Sequence, residues 1–475
     1  MTPAATTGES TGGLSEQVNV RRIMGLETEY GITNVLDSAR RLGPDEISRE
    51  LFEPITREFR SSNIYTDNAS RLYLDVGAHP EIATAECDSL HQLIAYDRAG
   101  DVTLHHMAVD AEQRLARRGI GGQVYLLKNN TDSLGNSYGC HENFLLDRGA
   151  DMNRIAEIFV AFLVSRQLVA GAGKLLVRDG RAVFNLTQRA EHIWDGYSSA
   201  TTRSRPIINS RDEPHADSAR YRRLHVIVGD STMSEATTLL KVGSAHLVLR
   251  MIEAGESFPR LHLANQIQAI RDVSADPTGQ CVIELQGGTS MTALAMQHMF
   301  LERATAFVER EGDPDPAIAD VLDLWGRTLE AVESQNFTGI ETEIEWVIKR
   351  KLLTDYAARQ GLELDDPKLA QLDLTFHDIR AGRGVFGLLE KAGRVRRIVD
   401  DARVTEAMTT PPQTTRAKLR GDFVRAAREA GRDFTVDWVH LKLNDQAGRT
   451  LMCKDPFLAT DARVDRLVES LTTPV

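Results

Sequence analysis

Cysteine is scarce in this chain: four residues, at 87, 140, 281 and 453, stand among 475. With no CxxC pairing and no close cluster, they suggest neither a disulfide framework nor a zinc site. Long apolar runs are missing as well, and nothing approaches the ~18 consecutive apolar residues of a membrane-crossing helix. The opening MTPAATTGESTGGLSEQ has neither the basic nor the apolar stretch of a secretory signal, so residues 1–18 read as a disordered tail. A reducing cytoplasm is the expected setting. Positive charge is also in deficit. The formal net charge of -12 argues against general nucleic-acid binding, which needs a broad basic face to displace counterions. Internal repeats at solenoid periods are absent, as is low complexity beyond the tail.

What is present describes a globular protein, with 42% hydrophobic and 26% charged residues and enough length to bury a sizeable core. In RRIMGLETEYGIT apolar and polar residues alternate as in a strand, with Glu27 and Glu29 on one face. RLYLDV (71–76) alternates more cleanly: Leu72, Leu74 and Val76 face a core, and Arg71, Tyr73 and Asp75 share the opposite face. QVYLLKNN from Gln123 and LHVIVGD at 224–230 are further strands. Later the period turns helical. In ETEIEWVIKRKLL, Ile344, Val347, Ile348 and Leu352 form one apolar stripe. Pro411 and Pro412 interrupt the pattern before a fresh amphipathic helix, TRAKLRGDFVRAAREAG, which places a domain boundary there.

Several familiar signatures fail. Gly171, Gly173 and Lys174 resemble a phosphate loop, but Leu168 occupies the position where that pattern needs its first glycine. GRGVFG matches GxGxxG at Gly382, Gly384 and Gly387 without a preceding strand, and reads better as a turn before a helix. His141 and Glu142 lack the HExxH spacing, so His141 reads as a structural histidine. Cys87 and Cys140 have no dedicated base nearby and read as buried small hydrophobes. One basic segment stands out: Arg203, Arg205, Arg211, Arg220, Arg222 and Arg223 could bind phosphate or an acidic partner.

The constellation Glu27, Arg71, Tyr73, Asp75 and Glu81, with Thr84 close behind, supplies what magnesium-bound nucleotide chemistry needs. It offers hard oxygen donors, a cation against phosphate charge and a proton acceptor. The same alternation also describes a solvated sheet face with an Arg71–Asp75 ion pair. Glu81 and Thr84 differ by an odd number of positions, so they cannot share a regular strand face unless the chain bends, for instance at Pro80.

The strings RRIMGLETEYGIT, SSNIYTDNASRLYLDVGAHPEIATAECDSL, KNNTDSLGNSYGCHENF, SSATTRSRPIINSRDEPHAD, YRRLHVIVGDSTMSE, ETEIEWVIKRKLL, KLAQLDLTFHDI and DFTVDWVHLKLNDQ are similar to the Pup ligase family. That family attaches the small protein Pup to lysines of other proteins. The resemblance runs from about residue 20 to the C-terminus. It implies an α+β fold like glutamine synthetase: a curved antiparallel sheet forms a cradle for ATP and magnesium, backed by helices, with a small C-terminal domain. The organisation expected is a tail at 1–18, a catalytic domain at 19–409 and a C-terminal domain at 410–475.

Carried over by motif, the resemblance makes Glu27, Tyr73 and Glu81 magnesium ligands, Asp75 the catalytic base, and Arg71, Thr84 and Trp438 ATP contacts. Arg203, Arg205 and Arg211 are candidates for contacting Pup or phosphate. Glu29, Glu86 and His225 are further possible ligands. In this family Pup is acidic and disordered, and its C-terminal glutamate is activated as a γ-glutamyl phosphate before a target lysine attacks. A sister branch, Dop, deamidates Pup and removes it from substrates. GLETEYG, the compact connection from Thr33 to Ser61 and RLYLDVGAHPE place this chain with the ligases, although Ala78 stands where serine is usual. A small-molecule carboxylate-amine ligase is the remaining alternative.

Overall fold

The computed structural model describes residues 21–37, 42–75, 77–132, 135–178, 181–199, 205–445 and 450–472. The expected tail at 1–18, Val76 and Arg203 lie outside the described residues. Twelve strands precede the long helical region: β1 (Met24–Glu29), β2 (Gly31–Leu36), β3 (Asn63–Tyr65), β4 (Arg71–Leu74), β5 (Pro80–Ala83), β6 (Gly122–Leu127), β7 (Cys140–Asp147), β8 (Lys174–Arg178), β9 (Arg181–Asn185), β10 (Asp195–Ser198), β11 (Pro206–Asn209) and β12 (Tyr221–Val226). Eight of these form one sheet in the order β10-β11-β12-β7-β1-β5-β4-β3. Its neighbours run antiparallel except at one edge, where β10 and β11 are parallel. The α+β fold is as expected, and the sheet is mixed rather than wholly antiparallel.

The segment expected as a single first strand divides at Tyr30. Its N–H donates to Pro80 O at 2.8 Å and its hydroxyl to Asp101 at 2.7 Å, fixing the residue in the interior. Beyond it the chain leaves the main sheet, and β2 pairs with β6 instead. The strand expected at 224–230 begins and ends earlier, as β12.

The main sheet buries one face. Leu26, Phe144, Leu224 and Val226 join Leu239 and Val242 of the helix Glu235–Glu253 in the largest core, while Leu72 and Ile82 join a second core with Leu104 of the helix Leu90–Arg117. Each such side chain contributes about 1.5–3 kcal/mol on burial. The helix Glu345–Gln360 buries Val347 and Ile348 as its stripe requires, Ile344 is buried just before it as its cap, and Leu352 is half-buried. Lys174 opens β8 and pairs with Asp373 at 2.7 Å, so it serves no phosphate loop. Gly382, at φ +77°, makes the turn before the helix Val385–Lys391.

After Pro411 and Pro412, the helix Ala417–Glu429 packs with β15 (Phe434–Val436), β16 (His440–Leu443) and the helix Ala462–Thr472; a hairpin of β13 (Val282–Glu284) and β14 (Ser290–Thr292) lies earlier in the chain. Leu419, Phe423, Leu441, Leu443 and Val464 form a core of their own. Among the described residues no helix is long and apolar enough to cross a membrane.

Candidate active site

The register of the main sheet sorts its polar side chains. Tyr73 lies opposite Glu81, and Glu81 opposite Glu29. One row along, Arg71 lies opposite Ala83, Ala83 opposite Glu27, and Glu27 opposite His141. Asn143 then pairs with His225. Directly opposed residues stand about 5 Å apart and alternate residues share a face, so five strands deliver these groups to one surface. Asp75 follows β4 in a tight turn. Its N–H donates to His79 O and its carbonyl accepts from Ala78, both at 3.0 Å, with Gly77 at φ +101° and Ala78 at +62°.

Two ligand-like groups result. Oxygens of Glu29, Asp75 and Glu81 lie within 4.8 Å of one another, and so do donor atoms of Glu27, His141 and His225. The first group is all oxygen, the donor set that magnesium prefers. Burial, followed by the charges of Glu27 and Glu29, pushes the Glu81 carboxyl well above its ordinary value. A bound divalent cation would relieve that repulsion, so the residues fit the metal. Tyr73 donates its hydroxyl to Glu81, and burial together with the Glu27 and Glu81 charges keeps the phenol protonated.

Glu27 is held differently. Burial alone would raise its carboxyl, but hydrogen bonds from His141 and His225 outweigh burial and hold it well below the usual range. His141 Nδ1 lies 3.2 Å from Glu27, His225 Nε2 3.5 Å and Arg223 Nη1 3.5 Å. Burial pushes the His225 imidazole down, against the pull of Glu27, which favours its charged form. Arg223 is steadied by Asn143 at 2.8 Å.

Beside this face opens a cleft of about 890 Å³ lined by Asn63, Tyr65, Arg71, His215 and Trp438. Its size suits a nucleotide-scale ligand. Arg71 donates to Asn63 at 2.9 Å and lies 4.1 Å over the Tyr73 ring; no ion pair joins it to Asp75 among the described residues. Trp438 meets Tyr65 edge-on at 5.2 Å. A recess of about 80 Å³, also lined by His215 and Trp438, runs toward Glu27, Thr84 and Arg223. Thr84 follows the end of β5, buried, with its hydroxyl accepting from Leu26 N–H at 3.1 Å.

Glu27, Arg71, Tyr73, Asp75 and Glu81 therefore share one surface, and Trp438 reaches it from the C-terminal segment. The arginine segment is dispersed. Arg205 donates to Ser137 O at 2.6 Å, exposed Arg211 pairs loosely with Glu213 at 3.9 Å, and Arg220 pairs with Asp455 at 2.9 Å. Glu86 is not a ligand candidate, because Arg416 and Arg420 bind both its oxygens in the interior. His141 faces the site instead of a structural pocket. Its alternation with Cys140, Glu142 and Phe144 was the available signal, since Cys140 and Phe144 are apolar. Cys87 and Cys140 are buried thiols whose burial raises their pKa, which suits packing and not nucleophilic attack.

The profile of the family described as Pup-ligase protein matches residues 22–442, most of the chain. The chain belongs to the Pup-ligase family. A member from Nocardia farcinica (strain IFM 10152), named "Pup--protein ligase", is 61% identical over 451 residues, covering 95% of this chain and 100% of the relative. A protein of the same name from Rhodococcus opacus (strain B4) is 60% identical over the same extent. Among solved structures, the complex between the prokaryotic ubiquitin-like protein Pup and its ligase PafA matches with a TM-score of 0.92 at 50% identity, covering 96% of this chain and 93% of that one. The family member PafA in complex with ADP matches at 0.84 and 49% identity, covering 92% and 96%.

Proposed function

We propose that this chain uses ATP to join the side-chain carboxylate of Pup's C-terminal glutamate to lysine side chains of target proteins. One observation carries the reading: the Glu29, Asp75 and Glu81 carboxylates gather beside the cleft lined by Arg71 and Trp438, in a chain spanning relatives named as Pup ligases. Arg71, Thr84 and Trp438 hold ATP so that its γ-phosphate points at the carboxylate face. The Pup carboxylate attacks that phosphorus, ADP leaves and an acyl phosphate forms. Asp75 then takes a proton from the lysine ammonium, because only the neutral amine has a lone pair for attack. The amine adds to the acyl carbon, phosphate departs and an isopeptide bond remains.

Glu27, Tyr73 and Glu81 would hold magnesium in this reading, and Glu29, His141 and His225 stand next to them. Bound magnesium neutralises charge on the transferring phosphoryl group. Arg203, Arg205 and Arg211 are assigned to Pup or phosphate contact. Residues 19–409 form the catalytic domain and 410–475 the appended one, a division supported by the separate core around Phe423. The four free cysteines accord with a cytoplasmic setting.

The test mixes the chain with Pup, ATP, magnesium and a lysine-bearing protein and follows the protein's mass. A gain of one Pup less one water is expected. Ammonia release from a Pup ending in glutamine, without conjugation, would replace the ligase reading with the deamidase one. Turnover of free glutamate with ammonia would point to a small-molecule ligase.

A further inference from the structure

Asp75 stands in a turn that its own two hydrogen bonds do not hold alone. Gly77 and Ala78 both have positive φ, and for Ala78 that left-handed conformation is costly and persists only where the surroundings over-determine it. The Asp75 carboxylate has no anchor of its own: among the described residues no side chain donates a hydrogen bond to it. Its place is therefore set by whatever fixes the backbone of the turn.

Three contacts from other segments do this. Ser48, fully buried on the helix Pro44–Phe59, donates its hydroxyl to Ala78 O at 2.6 Å. The His79 ring stacks on Tyr138, with centroids 4.6 Å apart and an interplanar angle of 25°. His79 Nδ1 lies 3.1 Å from Tyr30 O, and because a carbonyl only accepts, Nδ1 carries the proton. The Tyr30 peptide thus grips the chain twice, since its N–H donates to Pro80 O.

Both anchors of His79 are themselves fixed. Tyr30 donates its hydroxyl to Asp101, which Lys128 pairs at 3.0 Å. Tyr138 is buried and donates its hydroxyl to Asn129, whose amide donates to Thr131 O at 2.8 Å. A Cβ on Gly31 would collide with the Tyr138 hydroxyl, so glycine there is what lets this ring approach the strand. Glu81 depends on His79 far less. It pairs with Tyr73 and Glu29 inside the sheet, whereas Asp75 lies beyond the end of β4.

We infer that His79 is a positioning residue for the amine-attack step: clamped between the Tyr30 carbonyl and the Tyr138 ring, it fixes the turn from which Asp75 reaches the lysine ammonium. The inference rests on the reading of Asp75 as the base. It gives His79 no part in phosphoryl transfer, which the carboxylates held within the sheet serve.

The experiment compares two nucleophiles on the same acyl phosphate. A target lysine must lose a proton before it attacks. Hydroxylamine is uncharged at neutral pH, so its nitrogen adds to the acyl carbon, phosphate departs and a Pup hydroxamate forms without a positioned base. A misplacement of about 1 Å costs about 100-fold in rate, so His79→Ala is expected to lower kcat for lysine conjugation about 10- to 100-fold. KM for ATP and the hydroxamate rate should stay unchanged. His79→Asn, whose amide can still donate to Tyr30 O, should recover most of the loss. Asp75→Asn should show the same split more strongly, and adding His79→Ala to it should lower the remaining conjugation no further. If His79→Ala does not fold, Ser48→Ala, which frees Ala78 O, takes its place in the same comparison.

Equal loss of lysine conjugation and hydroxamate, a rise in KM for ATP at constant kcat, a loss that His79→Asn does not recover, or a further loss on top of Asp75→Asn would each overturn the inference. Asp75→Asn alone separates the two levels. If it abolishes lysine conjugation while His79→Ala leaves it unchanged, the clamp falls and the base stands; if it conjugates lysine at the normal rate, the base reading falls and the inference with it.

Discussion

The two faces of the main sheet carry glutamates one residue apart in register, and they are treated in opposite ways. Leu26 pairs with Glu142, and the next position, Glu27, pairs with His141. Glu142 points into the core, where Arg166 grips both its oxygens at 2.8 and 2.6 Å and closes its charge. Glu27 points the other way, between His141 and His225, with Arg223 at 3.5 Å as its nearest cation and its charge felt at Glu81 of the neighbouring group of Glu29, Asp75 and Glu81. A saturated carboxylate is structural. Carboxylates in excess over their cations describe a place prepared for positive charge from outside.

The sharpest way to break this contrast is at Asp75, where the largest effect is expected. Asp75→Asn keeps the side chain's shape and leaves the turn's backbone hydrogen bonds intact. A general base is worth about 10² to 10⁴ in rate, so conjugation should fall by at least that much with folding and ATP binding preserved. Phosphoryl transfer to Pup should fall less, since no proton leaves the carboxylate in that step. Conjugation measured at saturating ATP and magnesium decides it, and near-normal turnover would remove Asp75 from the base role.

On the core face the expected loss is in stability. Glu142→Leu strands the buried Arg166 and should cost about 3–5 kcal/mol, read from denaturant midpoints. Adding Arg166→Met should restore most of that. If the double variant stays as unstable as the single, the pair does more than close its own charge.

The same contrast explains what the sequence shows and what it hides. Alternation in RLYLD and GLETE puts Arg71, Tyr73, Glu27 and Glu29 on polar faces, and the long family strings identify the fold. Alternation cannot tell which strands are neighbours, so the meeting of Glu81 with Glu29 and of Glu27 with His141 is invisible until the register is known. It also cannot tell a saturated carboxylate from an open one. Glu86 was therefore open to the ligand reading, because its partners Arg416 and Arg420 lie more than 300 residues away. The break at Tyr30 has the same cause: its partners Pro80 and Asp101 come from distant segments.

Glu86 offers a prediction of intermediate size. Burial would raise its carboxyl, but the charges of Arg420 and Arg416 prevail and hold it down at about 2. A carboxylate lowered on folding contributes stability above its unfolded value, about 4.3, and loses it as pH falls toward the folded value. The contribution, about 3 kcal/mol, should therefore be complete at pH 5 and lost between about pH 4 and pH 2. Trp438 fluorescence, in a variant with its other three tryptophans replaced by phenylalanine, should report the loosening of residues 410–475 in that window. If Glu86→Gln leaves the acid transition of that signal unshifted, the carboxylate does not anchor the segment.

The smallest effect is expected at Arg211. Its pairing with Glu213 at 3.9 Å is exposed on both sides, a kind of contact worth less than about 1 kcal/mol, so loss of that pair should shift the melting temperature little. Arg205 differs, because its donation to Ser137 O at 2.6 Å ties it to the backbone and its loss would disturb the loop as well as the charge. Arg211 is thus the cleaner probe of whether this segment meets an acidic partner. An exposed charge on a binding rim acts mainly through the association rate and is screened beyond about 10 Å at 0.1 M salt. Arg211→Glu should weaken Pup binding by about 2- to 5-fold at low ionic strength, with the difference closing as salt is raised. Stopped-flow association of labelled Pup at two salt concentrations measures this directly. Equal rates for both proteins at low salt would remove Arg211 from the Pup surface and leave its pairing with Glu213 as a solvated contact in the connection after β11.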